Sequence, residues 1–341
     1  MGAESAAGNA TIDDVARVAG VSRAAVSKVL REAYGVSESM RDRVNAAIAE
    51  LDYRPRTAAR AMRGRTYTLG IELSDYGNQF FTKVLTGASA ALEDSRYQLM
   101  IAPAESGPSA GSRAIDSLLD RQVDGIIAIS PLVSRSSLER IARSTPIVMF
   151  GRHDTSDRYD TVADDDVAGA SAVMDHLLGL GHRRIWHLSR DELATVPEDN
   201  TPHGIRLQTY LDAMNRAGLA DNIQVRRSGE GEHEAYLTTQ KLLGELGPPT
   251  AIFAGHDALA LGAMRAISER GVDVSIAGYD DVPIASHPLI SLTTVSQPGE
   301  LMGARAVTML LERLAGRDVA AHEVFVPTLV MRDSTRPPAS L

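Results

Sequence analysis

The chain has 341 residues, of which 44% are hydrophobic, and this length predicts a globular protein with more than one domain. It contains no cysteine, which excludes disulfides and thiolate metal sites. Its first ten residues lack the basic and apolar regions of a signal peptide, and no stretch approaches the roughly 20 apolar residues that span a bilayer. A cytoplasmic location is therefore expected.

The net charge of −9 is unevenly distributed along the chain. Residues 1–65 carry 11 basic and 8 acidic side chains, a net charge of +3, so that residues 66–341 carry −12. Five arginines and no acidic residue lie between Arg54 and Arg65. Such a basic run is typical of a segment that contacts DNA phosphates, although a solvated linker could carry the same charges.

Residues 11–53 have the pattern of three short helices. Thr11 and Asp14 have the spacing of a capping box, and they introduce an apolar set at helical spacing. Gly20 can end this helix and Ser22 can cap the next, with a tight turn between them. A third helix from about Ser37 completes a small apolar core.

The second of these helices has one apolar and one polar face. Its apolar residues are expected to point into the core, namely Ala25, Val26, Val29 and Leu30. Its outward side chains are Arg23, Ala24, Ser27 and Lys28. A helix-turn-helix places its second helix in the major groove of DNA, so Arg23 and Lys28 are predicted to contact bases. The alternative is a small packing module with incidental surface cations.

The first part of the chain resembles the DNA-binding head of the lactose/galactose repressor (LacI/GalR) family. The resemblance is carried by the run TIDDVARVAGVSRAAVSKVLREAYGVSESMRDRVNAAIAELDYRPRTAARAM. It implies a disordered segment 1–10, a head over 11–53 and a hinge over 54–65. The hinge would form a helix on DNA and insert an apolar side chain, here Met62, into the minor groove. The predicted DNA-binding residues are Arg23, Ala24, Ser27, Lys28, Arg31, Arg56, Arg60, Met62 and Arg63.

From Tyr67 onward, short apolar runs alternate with helical patterns, which predicts parallel strands joined by helices. This segment is too long for one sheet, so two α/β lobes with a cleft between them are expected. The predicted strands include Leu69–Ile71, Gln98–Ala102, Gly125–Ile129, Ile147–Phe150, Ile185–Leu188, Ala251–Ala254 and Ser275–Gly278.

The same segment resembles the effector domain that these repressors share with periplasmic sugar-binding proteins. The resemblance is carried by runs such as VADDDVAGASAVMDHLLGLGHRRI and AIFAGHDALALGAMRAISERG. The expected fold is therefore an α/β protein with a three-helix helix-turn-helix head and a two-lobed periplasmic-binding-protein-like effector domain, 66–341, with parallel sheets. Lobe 1 is predicted at about 66–162 and 291–322, and lobe 2 at about 163–290 and 323–341.

Polar side chains at strand ends predict a small-molecule site in the cleft. By resemblance, the firmest effector-binding residues are Arg206, which lies in a segment that matches a family motif, and the strand-end residue Asp280. His256 stands where the family usually has asparagine. For Arg206 and Asp280 the alternative is a structural ion pair. The predicted effector-binding residues are Asp75, Asn78, Phe80, Arg152, Arg206, His256 and Asp280.

Two other classes of protein, an enzyme and a transporter-linked binding protein, are the main alternatives to a regulator. An enzyme would need a glycine-rich or nucleophile motif, but no GxxxxGK[ST] or GxSxG occurs, and the Gly179–Gly181 pair ends a helix. A transporter-linked binding protein would need a signal sequence and has no use for a helix-turn-helix. The acidic run 164–166 is more typical of a helix cap or a solvated loop than of a metal site. No enzymatic activity, metal or cofactor is expected.

The chain combines a predicted helix-turn-helix, a hinge and a ligand-binding cleft. This combination predicts a transcription regulator that is controlled by a ligand, most simply a repressor. Two chains are expected to pair as a homodimer on double-stranded, pseudo-palindromic operator DNA. The effector is expected to be a sugar or a sugar derivative, and its binding would bias the angle between the lobes.

Overall fold

The computed structural model describes residues 10–30, 34–53, 65–73, 77–104, 111–190 and 200–339. The chain divides into two compact units, residues 1–66 and residues 67–341. Most of the predicted disordered segment 1–10 and of the predicted hinge 54–65 lies outside the described residues. No helix in the described part of the chain combines the length and the apolar character needed to cross a membrane.

Three helices build the described part of the first unit, namely α1 (Ile12–Ala19), α2 (Arg23–Leu30) and α3 (Glu38–Glu50). Their apolar faces meet in one small core. Val15, Val26 and Val44 lie at its centre and are fully buried. The three predicted helices are thus confirmed, and the polar face of α2 stays outside the core.

Local capping explains where these short helices begin and end. Thr11 and Asp14 form the predicted capping box at α1, and Gly20 ends α1 with a φ of 62°, in the left-handed region that favours glycine. Ser22 accepts a hydrogen bond from the backbone N–H of Ala25 at 3.1 Å, so it caps α2 as predicted.

The second unit contains two six-stranded sheets among its described residues. The first sheet is parallel throughout, in the order β11-β5-β4-β3-β1-β2. The second has the order β12-β10-β9-β8-β6-β7, with β12 antiparallel to β10. The strands of the first sheet are β1 (Thr68–Leu73), β2 (Gln98–Pro103), β3 (Gly125–Ile129), β4 (Ile147–Phe150), β5 (Asp160–Asp164) and β11 (His322–Phe325). Those of the second are β6 (Ile185–Ser189), β7 (Gln224–Arg227), β8 (Ala251–Ala254), β9 (Ser275–Asp280), β10 (Thr293–Ser296) and β12 (Thr328–Val330).

Helices cover these sheets and bury their central strands. In β3 and β4 all residues are buried, as expected for parallel strands enclosed on both faces. The helices of the first lobe are α4 (Phe80–Ala90), α5 (Ser112–Asp120), α6 (Arg135–Ala142) and α11 (Gly299–Leu314). Those of the second are α7 (Asp166–Gly179), α8 (Pro202–Arg216), α9 (Gly231–Leu246) and α10 (Asp257–Arg270). Two short 3₁₀ helices span Ala220–Asn222 and Pro283–Ser286.

The chain crosses between the lobes three times, and one crossing differs from the prediction. Strand β10 pairs with β9 in the second sheet, so the predicted start of the returning lobe 1 segment at residue 291 is wrong. The chain crosses after Ser296, forms α11 and β11 in lobe 1, and returns between Phe325 and Thr328. Strand β10 has only one apolar residue, Val295, among two threonines and a serine. Its sequence therefore does not indicate a sheet, and only its pairing with β9 decides to which one it belongs.

Helices α4 and α11 pack at backbone contact through two glycines. A Cβ added at Gly87 would lie 1.8 Å from the carbonyl oxygen of Glu300, and one at Gly303 would lie 2.0 Å from that of Val84. Real Cβ atoms do not approach a carbonyl oxygen so closely, so any side chain at either position must push the helices apart. These small residues therefore determine the spacing of two helices that share an apolar core with the first sheet.

We expect Gly303→Ala to lower the free energy of unfolding by about 1–3 kcal/mol, because the two helices must separate to admit one methyl group. Gly244→Ala is the matched control. It lies inside α9 on an exposed face, where the nearest atom to an added Cβ is the flexible Arg270 guanidinium at 3.4 Å, so it should stabilise by up to about 1 kcal/mol. Urea unfolding followed by circular dichroism measures both, and equal effects would contradict the close packing.

Candidate DNA-binding face and effector site

The polar face of α2 carries the predicted base-contacting residues. Arg23, Ala24 and Lys28 are exposed and Ser27 is half-buried, while the opposite face of the helix enters the core. The Arg23 side chain is 67% exposed, and its guanidinium lies 3.7 Å from the Asp13 carboxylate. At this separation a solvated ion pair holds the side chain only weakly. The face therefore points away from the core of the first unit.

Several predicted site residues lie outside the described residues, so their roles stay predictions. They are Arg31, Arg56, Arg60, Met62 and Arg63 of the DNA-binding set and Asp75 of the effector set.

Arg206 lies at the centre of a buried network at the junction of the two lobes. Thr201 caps α8 and so presents Arg206 from the second turn of that helix. The guanidinium Nε donates to Asp166 Oδ1 at 2.7 Å and Nη1 donates to the Gly255 carbonyl at 2.8 Å. Its Cζ atom lies 3.5 Å from the ring centroid of Tyr279, close enough for a cation–π contact. Arg206 is thus held on three sides.

The carboxylates around Arg206 are themselves buried and paired. Asp166 Oδ2 lies 2.8 Å from His153 Nε2, and Asp164 Oδ2 accepts the Tyr279 hydroxyl at 2.8 Å. Burial, together with the neighbouring Asp166, raises the pKa of Asp164 to about 7, because two carboxylates in one apolar site disfavour double ionisation. The network therefore joins β5, α7, α8 and β9.

Asp280 connects the two lobes at the end of β9. Its Oδ2 accepts from the Asn78 amide of lobe 1 at 2.9 Å, and its Oδ1 accepts from the Gln297 amide at 2.7 Å. Burial raises its pKa to about 6, while the Arg206 charge and the two amides act in the opposite direction. Asp280 has a φ of 115°, which a residue other than glycine rarely adopts. Such strain is often retained where function requires a fixed carboxylate.

His256 lies beside Arg206 and is paired with a second histidine. It is 2% exposed, and its ring centroid lies 5.2 Å from that of His203 on α8. Burial, assisted by the charges of Arg190 and Arg206, lowers the pKa of His256 to about 3, so this imidazole is neutral near pH 7.

Arg152 and Phe80 are held within lobe 1. Arg152 forms an ion pair with Asp154 at 2.9 Å and donates to the carbonyls of Pro131 and Val133, so its guanidinium is committed to the structure. Phe80 is 5% exposed and packs against Phe150 in the core. Their proposed contacts with an effector stay predictions.

Several residues of this network are not among the predicted site residues, and Asp166 and Gln297 are the most informative of them. Asp166 belongs to the acidic run 164–166, in which only Asp165 caps a helix, by accepting from the backbone N–H of Ala168 at 2.9 Å, whereas Asp166 is buried against Arg206. Gln297 directly follows β10, and the strand-end rule that selected Asp280 would have selected it too. Among the described residues, no group of three or more His, Asp or Glu side chains is arranged to hold a metal ion.

The two units together define a DNA-binding regulator with a ligand-binding domain. Residues 11–56 match the family described as bacterial regulatory proteins, lacI family, and residues 174–335 match the periplasmic binding protein-like domain. The chain belongs to the LacI family, whose relatives are transcriptional repressors and not enzymes.

The relatives match over nearly the whole chain. The chain is 31% identical to the ribose operon repressor of Escherichia coli strain K12, over 95% of this chain and 99% of that protein. It is 31% identical to the transcriptional repressor PurR of Erwinia tasmaniensis, over 95% and 96% of the two chains. Among solved structures, a lac repressor dimer bound to operator and the anti-inducer ONPF matches with a TM-score of 0.77 at 28% identity, over 96% of this chain and 100% of that one.

Proposed function

We propose that the chain is a cytoplasmic repressor that binds a pseudo-palindromic operator as a homodimer and responds to a sugar or sugar derivative in the cleft between its lobes. The observation that carries the DNA-binding part is the solvent-facing pair Arg23 and Lys28 at the outer face of α2. An arginine can bond guanine O6 and N7 together, whereas lysine contacts a base or a phosphate as a point charge.

The effector part rests on the network at the lobe junction. Asp280, Asn78 and Gln297 bring a carboxylate and two amides to one point, and Arg206 adds a fixed guanidinium. Such convergent groups bind hydroxyls with directional hydrogen bonds. A ligand that took over the bonds between Asn78 and Asp280 would change the contact between lobes and thereby bias their relative orientation.

Dimeric binding is supported by a structural relative, since the lac repressor that matches this chain is a dimer on its operator. Two heads per assembly would match two half-sites about one helical turn apart. The hinge residues Arg56, Arg60 and Arg63 would neutralise phosphates, and Met62 would insert in the minor groove.

We expect Arg23→Ala to weaken binding to the operator about tenfold or more while leaving binding to random DNA nearly unchanged, because a good base contact contributes about 1–3 kcal/mol of discrimination. The operator is first selected from a random duplex pool with the full chain, and fluorescence anisotropy then gives the affinities.

Arg216→Ala is the matched control, since it removes an exposed arginine from α8 in the other unit and should change neither affinity. Equal losses of Arg23→Ala on selected and random duplexes would show that Arg23 does not contact bases. A strict monomer in sedimentation, binding the full palindrome at undiminished affinity, would contradict the dimer.

A further inference from the structure

The polar groups of the effector site are divided between two ends of opposite character. One end holds the Asp280 carboxylate with the amides of Asn78 and Gln297. The other end holds the imidazoles of His203 and His256, with Arg206 beside them. Most neutral sugars present similar hydroxyls at every edge, so a site with two unlike ends is better matched by a ligand that is itself asymmetric.

The imidazole pair has hydrogen-bonding capacity that the protein does not use. Nδ1 of His203 and Nδ1 of His256 are both buried, and neither has a hydrogen-bond partner within the described part of the chain. A buried polar nitrogen without a partner is costly, and the cost is removed when a ligand atom bonds to it. Gly255 allows this arrangement, because a Cβ there would lie 3.3 Å from Nδ1 of His203.

Two arginines, Arg190 and Arg206, lie near enough to these imidazoles to act on their charge. Burial lowers the pKa of His203 and His256, and for both groups Arg190 and Arg206 lower it further. Arg190 follows β6 at the same sheet edge and pairs with the half-exposed Glu230 at 2.9 Å. Both arginines thus repel a proton from the imidazoles, and the same field attracts an anionic oxygen to them.

We propose that the effector is a hydroxylated acid whose anionic group, a carboxylate or a phosphate, lies against His203, His256 and Arg206. Its hydroxyls lie at the opposite end, on Asp280, Asn78 and Gln297. The neutral imidazoles donate N–H bonds to the anion and the Arg206 guanidinium adds charge, while the Asp280 carboxylate accepts from hydroxyls and disfavours the reversed orientation. This deepens the proposed function, because it rests on the cleft being the effector site.

The test compares each acid with its neutral parent by isothermal titration of the full chain at constant pH and sodium concentration. The probes are ribose with ribose 5-phosphate, and glucose with gluconate and glucose 6-phosphate. We expect at least one acid to bind about tenfold or more tightly than its parent, as one charge-assisted hydrogen bond suffices for that ratio. The gluconate and phosphate probes separate a carboxylate site from a phosphate site.

The double variant His203→Asn/His256→Asn should lose this preference for the acid at least tenfold and keep its melting temperature, whereas His233→Asn, an exposed histidine on α9, should change neither. The proposal would be overturned by any of three results: the neutral parent sugars bind as tightly as their acids, the double variant keeps the preference for the acid, or no acid binds. Operator binding without ligand is measured on the same preparations. If the operator were not bound, this result would count against the proposed function. The preference for an acid would then still be decided by the titrations.

Discussion

Arg206→Lys is expected to lower the affinity for the effector about ten- to a hundredfold and to leave operator binding without effector unchanged. Lysine keeps the positive charge beside Asp166, so the buried carboxylate stays paired. It cannot reproduce the planar fork that bonds Asp166 and Gly255 together and lies over the Tyr279 ring. The loss of a charged donor to a bound ligand is worth about 1.5–3 kcal/mol, which is roughly ten- to a hundredfold in affinity.

Arg265→Lys is the matched control for this change. Arg265 also pairs with a carboxylate, Glu269, and also lies over a tyrosine ring, at 4.0 Å from that of Tyr236, but it is about half exposed on α10. An exposed pair contributes little, so effector affinity and stability should stay within about 0.5 kcal/mol of the parent. Effector affinity is measured by titration and operator affinity by anisotropy. An unchanged effector affinity in Arg206→Lys would show that the arginine only supports the fold.

Lysine is a better substitution than alanine at Arg206 because the buried Asp166 carboxylate needs a positively charged partner. Arg206→Ala would leave a buried carboxylate with His153 alone, and breaking a buried ion pair in this way costs about 3–5 kcal/mol. The alanine variant therefore tests folding as much as binding. A substitution that retains charge separates the two roles.

Local patterns made the head and most strands predictable. The capping box of Thr11 and Asp14, the turn at Gly20 and the apolar runs that form β3 and β4 are each readable within a few residues of sequence. Asp280 is indicated both by its position at the end of a strand and by the family resemblance. Arg206 is indicated by the resemblance alone, since neither spacing nor composition distinguishes it from other charged residues.

The contacts between those residues were not predictable, because they join distant parts of the chain. Asp166 meets Arg206 across 40 positions, and Asn78 meets Asp280 across 202. No periodicity encodes such pairs, and the strand that decides the lobe boundary, β10, is likewise assigned by its partner β9. The contact between the two histidines was unpredictable for the same reason. His203 lies in the first turn of α8 and His256 follows β8, and only the packing of α8 on the second sheet brings them together.

A buried glutamate in lobe 1 is expected to make the stability of the protein depend strongly on pH. Glu72 lies on β1 and is fully buried, with Oε2 accepting from the backbone N–H of Ile129 at 2.9 Å. Its Oε1 has no hydrogen-bond partner within the described part of the chain. Burial raises the pKa of Glu72 to about 8, because an ionised carboxylate is poorly solvated among the apolar residues of the sheet.

Glu72→Gln is therefore expected to stabilise the protein relative to the parent increasingly as the pH rises. The native state holds the Glu72 proton up to about pH 8, whereas the unfolded chain releases it near its ordinary pKa of 4.5. The stability that Glu72 contributes at low pH is thus lost progressively between those two values, while glutamine does not titrate. Between about pH 6 and about pH 8 the difference in free energy of unfolding should grow by about 2 kcal/mol in favour of the variant.

Urea unfolding at several pH values measures this difference directly. The other buried acids of the chain, such as Asp164 and Asp280, also titrate in this range, but they do so in both proteins and cancel in the comparison. Glu93→Gln removes the same kind of carboxyl from an exposed position, so its effect should stay within about 0.5 kcal/mol at every pH. A Glu72→Gln difference that stayed constant from pH 6 to pH 8 would mean that the carboxyl is already ionised in the native protein and is balanced by a group other than Ile129.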